Sequence, residues 1–358
     1  MNRTVLVTGG AGFVGSHVCK ALARAGLRPV AYDNLSRGHR WAVQWGPLEE
    51  GDLAQPARLD QVMRDYRPAA VMHFASSIEA GASVTDPAAF YANNVSNTLS
   101  LVQAMRRNGI DRIVFSSSAA VYGDPTTLPI PESHALNPVN PYGATKQFCE
   151  VMLRDFAAAY GIRSVALRYF NAAGADPDAE IGEAHDPETH LIPLVLQAAV
   201  RDRPFVSIYG DDYPTSDGTC VRDYVHVSDL ATAHCLALDH TERASGAHVF
   251  NLGNGSGYTV REVIDTARRV TGRAIDVRVE PRRPGDPGSL LADPGRAKER
   301  LGWTPSRAAL DVQIADAWRW FMRRRAAGDR EDAAATADDK VRRLPLRAAA
   351  GHRPSAAG

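Results

Sequence analysis

The chain has 358 residues, of which 44% are hydrophobic, enough for a large core or for two domains that share an interface. Lysine plus arginine and aspartate plus glutamate each number 41, so no charge excess favours nucleic acid or an anionic membrane as a partner. We expect no signal peptide and no membrane segment, because the sequence contains no long apolar run. Four separated cysteines without a C-x-x-C pair predict reduced thiols in a cytoplasmic protein, and no metal site is predicted.

Short apolar runs alternate with longer amphipathic stretches through the first half of the chain. The predicted strands cover residues 5–7, 29–32, 70–74, 113–115 and 165–168. The predicted helices cover residues 16–25, 57–66, 94–108 and 142–160. Repeated strand–helix–strand units of this kind predict an α/β fold with a Rossmann-type doubly wound parallel sheet.

The alternation ends near residue 171, where proline and glycine become frequent. We predict a first domain over 1–175, with a return segment at about 222–252. A smaller mixed α/β domain over 176–325 is interleaved with it and carries the substrate. The last periodic helix is expected to end near residue 325. Residues 326–358 lack aromatic side chains and are predicted to be a disordered tail.

Three glycines follow the first predicted strand with G-x-x-G-x-x-G spacing, at Gly9, Gly12 and Gly15. Such a loop lets backbone N–H groups approach a pyrophosphate at a helix N-terminus. Asp33, at the end of the second strand, would accept a hydrogen bond from an adenosine ribose and repel a 2′-phosphate, which favours NAD over NADP. Asp52 follows the third strand and either faces the adenine or belongs to an ordinary turn.

Ser118, Tyr142 and Lys146 form the candidate catalytic set. Tyr142 and Lys146 are four residues apart and share one face of a predicted helix. An ammonium group, together with a nicotinamide cation, is expected to lower the phenol pKa toward neutral pH. Ser118 ends a strand and would hold a substrate oxygen in line with the phenol. The set predicts hydride transfer at a carbinol, whereas an isolated Y-x-x-x-K would suggest only a surface helix.

These motifs, with several others, resemble the extended short-chain dehydrogenase/reductase superfamily and, within it, the UDP-hexose 4-epimerases. The resemblance runs from residue 3 to about residue 322. It is carried by VTGGAGFVGSH (7–17), YDNL (32–35), HFA (73–75), NNV (93–95), SSSAAVYGD (116–124), PYGATK (141–146), LRYFN (167–171), DGTCVRDYVHV (217–227) and NLG (251–253).

The resemblance implies reversible, NAD-dependent C4 epimerisation of UDP-galactose and UDP-glucose through a 4-keto sugar. Sister dehydratases carry an acidic residue after the strand-end serine or threonine, whereas this chain has Ala119 and Ala120. Cofactor contacts are expected at Gly9, Gly12, Phe13, Val14, Gly15, Asp33, Asn34, Asp52, Leu53, Phe74, Ala75, Asn93, Tyr142, Lys146 and Phe170. Substrate contacts are expected at Ser118, Asn171, His190, Leu191, Tyr209, Arg222, Arg283, Asp286 and Ser289. The resemblance also implies a homodimer that pairs through the helices over 94–108 and 142–160.

Three positions depart from the pattern of these relatives. Ile78 replaces a lysine that touches the cofactor, so that contact is lost or Glu79 and its neighbours reshape the loop. His190 replaces an asparagine, and Ser289 is small where some members have tyrosine, which would leave room for an N-acetyl group. UDP-N-acetylhexosamines and UDP-pentoses are therefore alternative substrates, and a non-catalytic NAD-binding sensor is a further alternative.

Overall fold

The computed structural model describes residues 4–283 and 286–342, with side chains up to residue 327. The strands of this part of the chain are β1 (Thr4–Thr8), β2 (Arg28–Asp33), β3 (Leu48–Glu50), β4 (Ala70–His73), β5 (Arg112–Ser118), β6 (Arg163–Tyr169), β7 (Asn171–Ala173), β8 (Val206–Tyr209), β9 (Val221–Arg222), β10 (Tyr224–His226), β11 (Ala247–Leu252), β12 (Tyr258–Thr259), β13 (Val277–Glu280) and β14 (Ser289–Leu290).

Its α-helices are α1 (Phe13–Arg24), α2 (Pro56–Tyr66), α3 (Ala80–Thr85), α4 (Pro87–Phe90), α5 (Asn97–Arg107), α6 (Pro141–Tyr160), α7 (Leu191–Ala199), α8 (Val227–Arg243), α9 (Val260–Thr271), α10 (Gly295–Leu301) and α11 (Leu310–Arg342). Two short 3₁₀ segments cover Arg40–Ala42 and Ala119–Val121, and a π-helical segment covers Tyr91–Ser96. No helix of the described part is both long and apolar enough to cross a membrane.

A seven-stranded parallel sheet has the order β11-β6-β5-β4-β1-β2-β3. The strand order reverses between β1 and β4, so the chain leaves the sheet on opposite sides of this point. Ligands of doubly wound sheets bind at the carboxyl ends of the strands next to such a reversal. The predicted Rossmann-type fold is confirmed, with β11 as a further strand inside the predicted return segment.

Helices cover both faces of the sheet, which explains why its central strands read as continuous apolar runs. On one face, Val18 and Leu22 of α1 pack with Leu230 and Ala233 of α8. On the other face, side chains of α2, α5 and α6 form a second apolar cluster, which includes Leu59, Met63, Leu101, Met105 and Leu153. The sheet edge that carries the candidate site therefore rests on two packed layers of helices.

The described part of the chain after β6 forms three small sheets in addition to β11 of the central sheet. In these, β10 pairs with β7, β13 pairs with β8, and β12 and β14 lie on either side of β9. The chain up to Trp320 is one compact unit. The division of this part into two domains near residue 175 stays a prediction.

The disordered tail expected over residues 326–358 stays a prediction. Helix α11 continues to Arg342, beyond the predicted end near residue 325. Its sequence is rich in alanine, arginine and acidic residues, several of which favour helix even where the apolar periodicity has ended. Residues 343–358 of the predicted tail lie outside the described residues.

A buried ion pair joins α6 to β6 below the strand ends. Arg168 Nε donates to Glu150 Oε1 at 2.9 Å, and the two side chains are only 5% and 7% exposed. Ser117 Oγ donates to the same carboxylate at 2.5 Å, and Arg168 Nη1 donates to the Tyr122 hydroxyl at 2.9 Å. This network connects α6 to the end of β5.

We expect Glu150→Gln to lower the free energy of unfolding by about 3 kcal/mol, because it leaves the Arg168 guanidinium buried without its counter-charge. Urea titration followed by circular dichroism measures this change. Glu299→Gln, in an exposed pair with Arg300, is the matched control and should change stability by less than about 0.5 kcal/mol. Equal urea midpoints for the two variants would contradict the prediction.

Candidate active site

The glycine loop between β1 and α1 is folded closely against the end of β4. Gly9 has φ +75°, and a Cβ atom there would lie 2.6 Å from the backbone nitrogen of Ala75. A Cβ atom on Gly15 would collide with the Gly9 carbonyl oxygen. Gly12 is the residue before α1, so no side chain covers the backbone N–H groups at that position. The loop is therefore a cradle in which backbone N–H groups stay accessible to a phosphate.

The carboxylate of Asp33 is fixed beside this cradle at the end of β2. It accepts hydrogen bonds from the backbone N–H of Ala11 at 3.0 Å and of Leu35 at 2.8 Å. Burial raises the pKa of Asp33, while these two hydrogen bonds act in the opposite direction. An acceptor held at this place suits the ribose hydroxyls of an adenine nucleotide.

Asp52 lies next to Asn34, whose amide donates to Asp52 Oδ2 at 2.7 Å. The other carboxylate oxygen accepts from the backbone N–H of Ala54 at 2.8 Å. Asp52 thus makes the turn contact that formed one of the two sequence interpretations. Its predicted contact with adenine stays a prediction.

The other predicted cofactor residues lie at or near the same sheet edge. Leu53 follows β3, Phe74 and Ala75 follow β4, and Phe170 follows β6. Phe13 and Val14 open α1. Asn93 lies in the π-helical segment, and its amide donates to the Ser77 hydroxyl at 3.0 Å.

Ser118, Tyr142 and Lys146 meet where β5 ends and α6 begins. Asn140 caps α6 by accepting from the Gly143 N–H at 2.9 Å, which places Tyr142 and Lys146 in its first two turns. The Ser118 hydroxyl lies close enough to the Tyr142 phenol to lower its pKa. Lys146 Nζ lies 5.8 Å from the Tyr142 ring centroid and donates to the Ser116 carbonyl oxygen at 2.9 Å. The structure brings the three predicted catalytic residues together.

Burial has the largest effect on the pKa values of Tyr142 and Lys146. Burial raises the pKa of Tyr142 above its ordinary value, and the Ser118 hydroxyl opposes this effect. Burial also lowers the pKa of Lys146 to about 8, with Cys149 and Glu150 acting in the opposite direction. The expected lowering of the phenol pKa involves a nicotinamide cation as well as Lys146 and stays a prediction, whereas burial of both groups acts against it in the protein alone.

Two positioning residues near this set were missed by the sequence analysis. His73 lies between Thr8 Oγ1, at 2.7 Å from Nδ1, and Thr98 Oγ1, at 2.9 Å from Nε2, and so joins β1 and β4 to α5. Asn94 accepts from the Ser77 N–H at 2.8 Å and donates to Thr145 Oγ1 at 3.0 Å. Polar residues inside apolar runs were the available signal, but their partners lie far apart in the chain.

The predicted substrate residues lie on the short strands that follow β6 and in the segments beside them. Arg222 forms a charge-assisted hydrogen bond with Asp286. The guanidinium carbon of Arg283 lies 3.8 Å from the ring centroid of Tyr209. Asn171 begins β7, its backbone N–H donating to the Asp223 carbonyl at 3.0 Å, and Ser289 pairs with Val221 in the β14–β9 ladder. Two arginines next to a carboxylate and an aromatic ring suit a nucleoside diphosphate.

His190 and Leu191 mark the beginning of α7. The His190 imidazole faces Glu183, with Nδ1 2.8 Å from Oε1. Its predicted substrate contact stays a prediction. At the Ile78 departure, the neighbouring Glu79 pairs with Arg37 at 3.4 Å and ties this loop to the segment after β2.

Comparisons with known proteins agree with this geometry. The model of the NAD dependent epimerase/dehydratase family matches residues 5–253, more than half of the chain. The chain belongs to this family. The cofactor of the family is NAD, and the residues described above fit it: a glycine cradle for the pyrophosphate and a fixed carboxylate at the end of β2.

Individual relatives extend the match over most of the chain. A UDP-glucose 4-epimerase from Rhizobium meliloti is 49% identical over 91% of this chain and 99% of its own length. The crystal structure of UDP-glucose 4-epimerase from Brucella ovis in complex with NAD is 53% identical, with a TM-score of 0.87 over 89% of this chain and 98% of that one. The Bifidobacterium longum enzyme in complex with NAD+ and UDP is 38% identical, with a TM-score of 0.86 over the same shares of the two chains.

The buried imidazole of His73 makes the stability of this family member depend on pH. Burial, together with the positive charge of Lys146, lowers its pKa from 6.5 to about 3, so the unfolded chain takes up this proton first. The stability contributed by neutral His73 is thus present above pH 6.5 and is lost as the pH falls from 6.5 toward 3.

We expect the unfolding free energy of His73→Gln to fall less steeply than that of the wild type between pH 6.5 and 5. The difference should approach about 1.4 kcal/mol per pH unit. Urea midpoints measured at several pH values give this slope. His248→Gln, outside the network, should follow the wild type, and identical slopes for all three proteins would refute the assignment.

Proposed function

We propose that this protein is a UDP-glucose 4-epimerase that interconverts UDP-galactose and UDP-glucose through a 4-keto sugar. The observation that carries the proposal is the convergence of Ser118, Tyr142 and Lys146 next to the glycine cradle. Relatives of about 50% identity that match this chain over nearly their whole length are UDP-glucose 4-epimerases, and this supports the proposal.

Tyr142 takes the proton from the sugar O4, and Ser118 hydrogen-bonds the same oxygen. Bound NAD supplies the chemistry of accepting a hydride from C4 and returning it. The keto sugar turns about its link to the diphosphate, so that the opposite face receives the hydride. Tyr142 then returns the proton to O4, and the protein ends the cycle as it began.

In the protein alone, burial favours the protonated phenol of Tyr142 and the neutral amine of Lys146, so the base role needs a further positive charge at the site. To take the proton from O4, Tyr142 must be a phenolate, and the positive charge of bound NAD would favour that form. Lys146, anchored by the Ser116 carbonyl, stabilises the phenolate while the proton is on the substrate. The buried environment strengthens both interactions because water does not screen them.

The residues after Ser118 favour epimerisation over dehydration. Ala119 is buried and Ala120 is half-buried, so neither position supplies a carboxylate. Elimination of water across C5 and C6 requires additional acid–base groups at this place. We therefore assign the chain to the epimerase side of its family.

On the substrate side, Arg222 and Arg283 are proposed to bind the diphosphate. Asn171 would contact the same group, Asp286 the uridine ribose, and Leu191 and Tyr209 the uracil. The pairing of Arg222 with Asp286 supports this arrangement, because it pre-orients a guanidinium that would otherwise be free to move. His190 is retained as a candidate uridine contact.

We also infer a cytoplasmic homodimer. Four free thiols, at Cys19, Cys149, Cys220 and Cys235, support a reducing compartment. Large apolar side chains are exposed on the π-helical segment and on α5 and α6, namely Tyr91, Leu99, Phe148 and Tyr160. Packing these helices against a second copy would form a four-helix bundle across a two-fold axis. Light scattering that gives the mass of one chain would contradict the dimer.

Replacing Tyr142 by phenylalanine removes the proton acceptor and keeps the ring. We expect turnover of UDP-galactose to fall by about 10²–10⁴ while NAD remains bound. A coupled assay measures turnover, and absorbance of the denatured supernatant measures NAD. Tyr160→Phe, at the exposed end of the same helix, should keep full activity. Substantial turnover by Tyr142→Phe would point to another base.

The choice of sugar is tested by proton NMR of the purified protein with equal amounts of UDP-galactose and UDP-GalNAc and no added NAD. We expect UDP-galactose to be converted. Slower conversion of UDP-GalNAc would support the claim that the small Ser289 leaves room for an N-acetyl group. In that case, Ser289→Tyr should abolish the conversion of UDP-GalNAc and leave that of UDP-galactose unchanged. If UDP-GalNAc is untouched, the wider pocket is wrong. If neither sugar changes, UDP-pentoses with added NAD distinguish a pentose epimerase from the non-catalytic NAD-binding alternative.

A further inference from the structure

Four side chains with metal-binding atoms converge in the segment before α7. They are Glu183, His185, Glu188 and His190, and one oxygen or nitrogen atom from each lies within 4.8 Å of the others. Both carboxylates are buried, with side chains 8% and 6% exposed. Sequence analysis predicted no metal site because it considered only cysteine patterns.

The distances within the cluster are those of a shared coordination sphere. His190 Nδ1 lies 2.8 Å from Glu183 Oε1 and 3.3 Å from Glu188 Oε1. His185 Nδ1 lies 3.1 Å from Glu183 Oε1 and 3.8 Å from Glu188 Oε2. A tetrahedral zinc ion with bonds of about 2.0–2.2 Å separates its ligand atoms by about 3.3–3.6 Å. The four nitrogen–oxygen distances, from 2.8 to 3.8 Å, include values below and above this ligand–ligand separation.

The two histidines are paired with the carboxylates, but their ring nitrogens are not oriented for hydrogen bonds. Both Nδ1 atoms are buried, and within the described residues neither makes a hydrogen bond of acceptable geometry. A carboxylate oxygen nevertheless lies within about 3 Å of each ring nitrogen. The ring nitrogens are therefore close to the oxygens without being aimed at them, as ligands of one central ion are.

We propose that Glu183, His185, Glu188 and His190 bind one divalent transition-metal ion, zinc being the best match to two imidazoles and two carboxylates. Four protein ligands close the coordination sphere, so the site is structural rather than catalytic. His190 would bind the ion through Nδ1, and its other ring nitrogen remains for the proposed uridine contact.

Neighbouring backbone groups hold the ligands in place. Glu188 Oε1 accepts from the N–H groups of Thr189 and His190, each at 2.8 Å, which fixes the carboxylate as outer contacts fix metal ligands elsewhere. Among the described residues, the ion pairs of Glu183 and Glu188 are with these two histidines only. The acidic cluster at Asp176 differs, since Lys20 already lies 2.7 Å from that carboxylate.

The position of the site gives it a role. His39 Nε2 hydrogen-bonds the Ala184 carbonyl at 2.6 Å, and Arg37 hydrogen-bonds the carbonyl of Asp186. The rings of Phe13 and His185 lie 6.5 Å apart. A bound ion would make the segment 183–190 rigid, and the contacts with Phe13, Arg37 and His39 would hold this segment against the start of α1 and the segment that follows β2.

The test uses the full-length protein without an affinity tag, stripped with EDTA and reloaded with zinc or cobalt. We expect about one equivalent of zinc per chain after gel filtration, measured by mass spectrometry of the metal. Cobalt should give the visible absorption of a tetrahedral ion without the near-ultraviolet bands of a thiolate, which excludes the cysteines. Zinc in hundredfold excess over its Kd should raise the Tm by about 3–5 °C.

His185→Gln should lose the metal and the zinc-dependent rise in Tm, whereas His248→Gln on β11 should keep both. The measurements on the wild type do not depend on the folding of any variant. Zinc content below about one tenth of an equivalent in the reloaded wild type would overturn the proposal. Equal zinc content and equal cobalt spectra in the wild type and His185→Gln would also overturn it.

Discussion

The parallel register of β1, β4 and β5 is the constraint on which the site depends. It brings the loop after β1, the residues after β4 and Ser118 at the end of β5 to one edge of the sheet. The glycine loop then lies so close to Ala75 that no side chain fits at Gly9. One pairing pattern thus sets both the cofactor cradle and the distance from it to the catalytic hydroxyls.

Desolvation is the second theme of the site. Tyr142, Lys146 and His73 are each shifted toward their neutral forms by burial, in opposite pKa directions for the phenol and for the two bases. Charges that form during the reaction interact strongly in such a buried environment, because little solvent screens them. The hydrogen bond from Lys146 to the Ser116 carbonyl provides a fixed dipole in this environment.

Much of this arrangement was predictable from the sequence because it depends on local signals. The apolar runs, the three glycines and the spacing of Tyr142 and Lys146 each act within one strand–helix unit. The pKa of Tyr142 was not predictable, because burial depends on the packing of distant segments. The partners of His73 and Asn94 were missed for the same reason. The continuation of α11 to Arg342 follows the helix propensity of its residues and not their apolar periodicity. The contact between Glu183 and His190 could not be predicted, because it depends on the path of the loop between them.

The Glu150 carboxylate has two consequences that cannot be separated. It neutralises Arg168 in the core, and its negative charge also favours the protonated form of Lys146 on the same helix. A substitution at position 150 therefore changes the architecture of the sheet edge and the basicity of a catalytic amine together. For this enzyme, a screen that selects for thermal tolerance at that position would also be selecting a pH optimum.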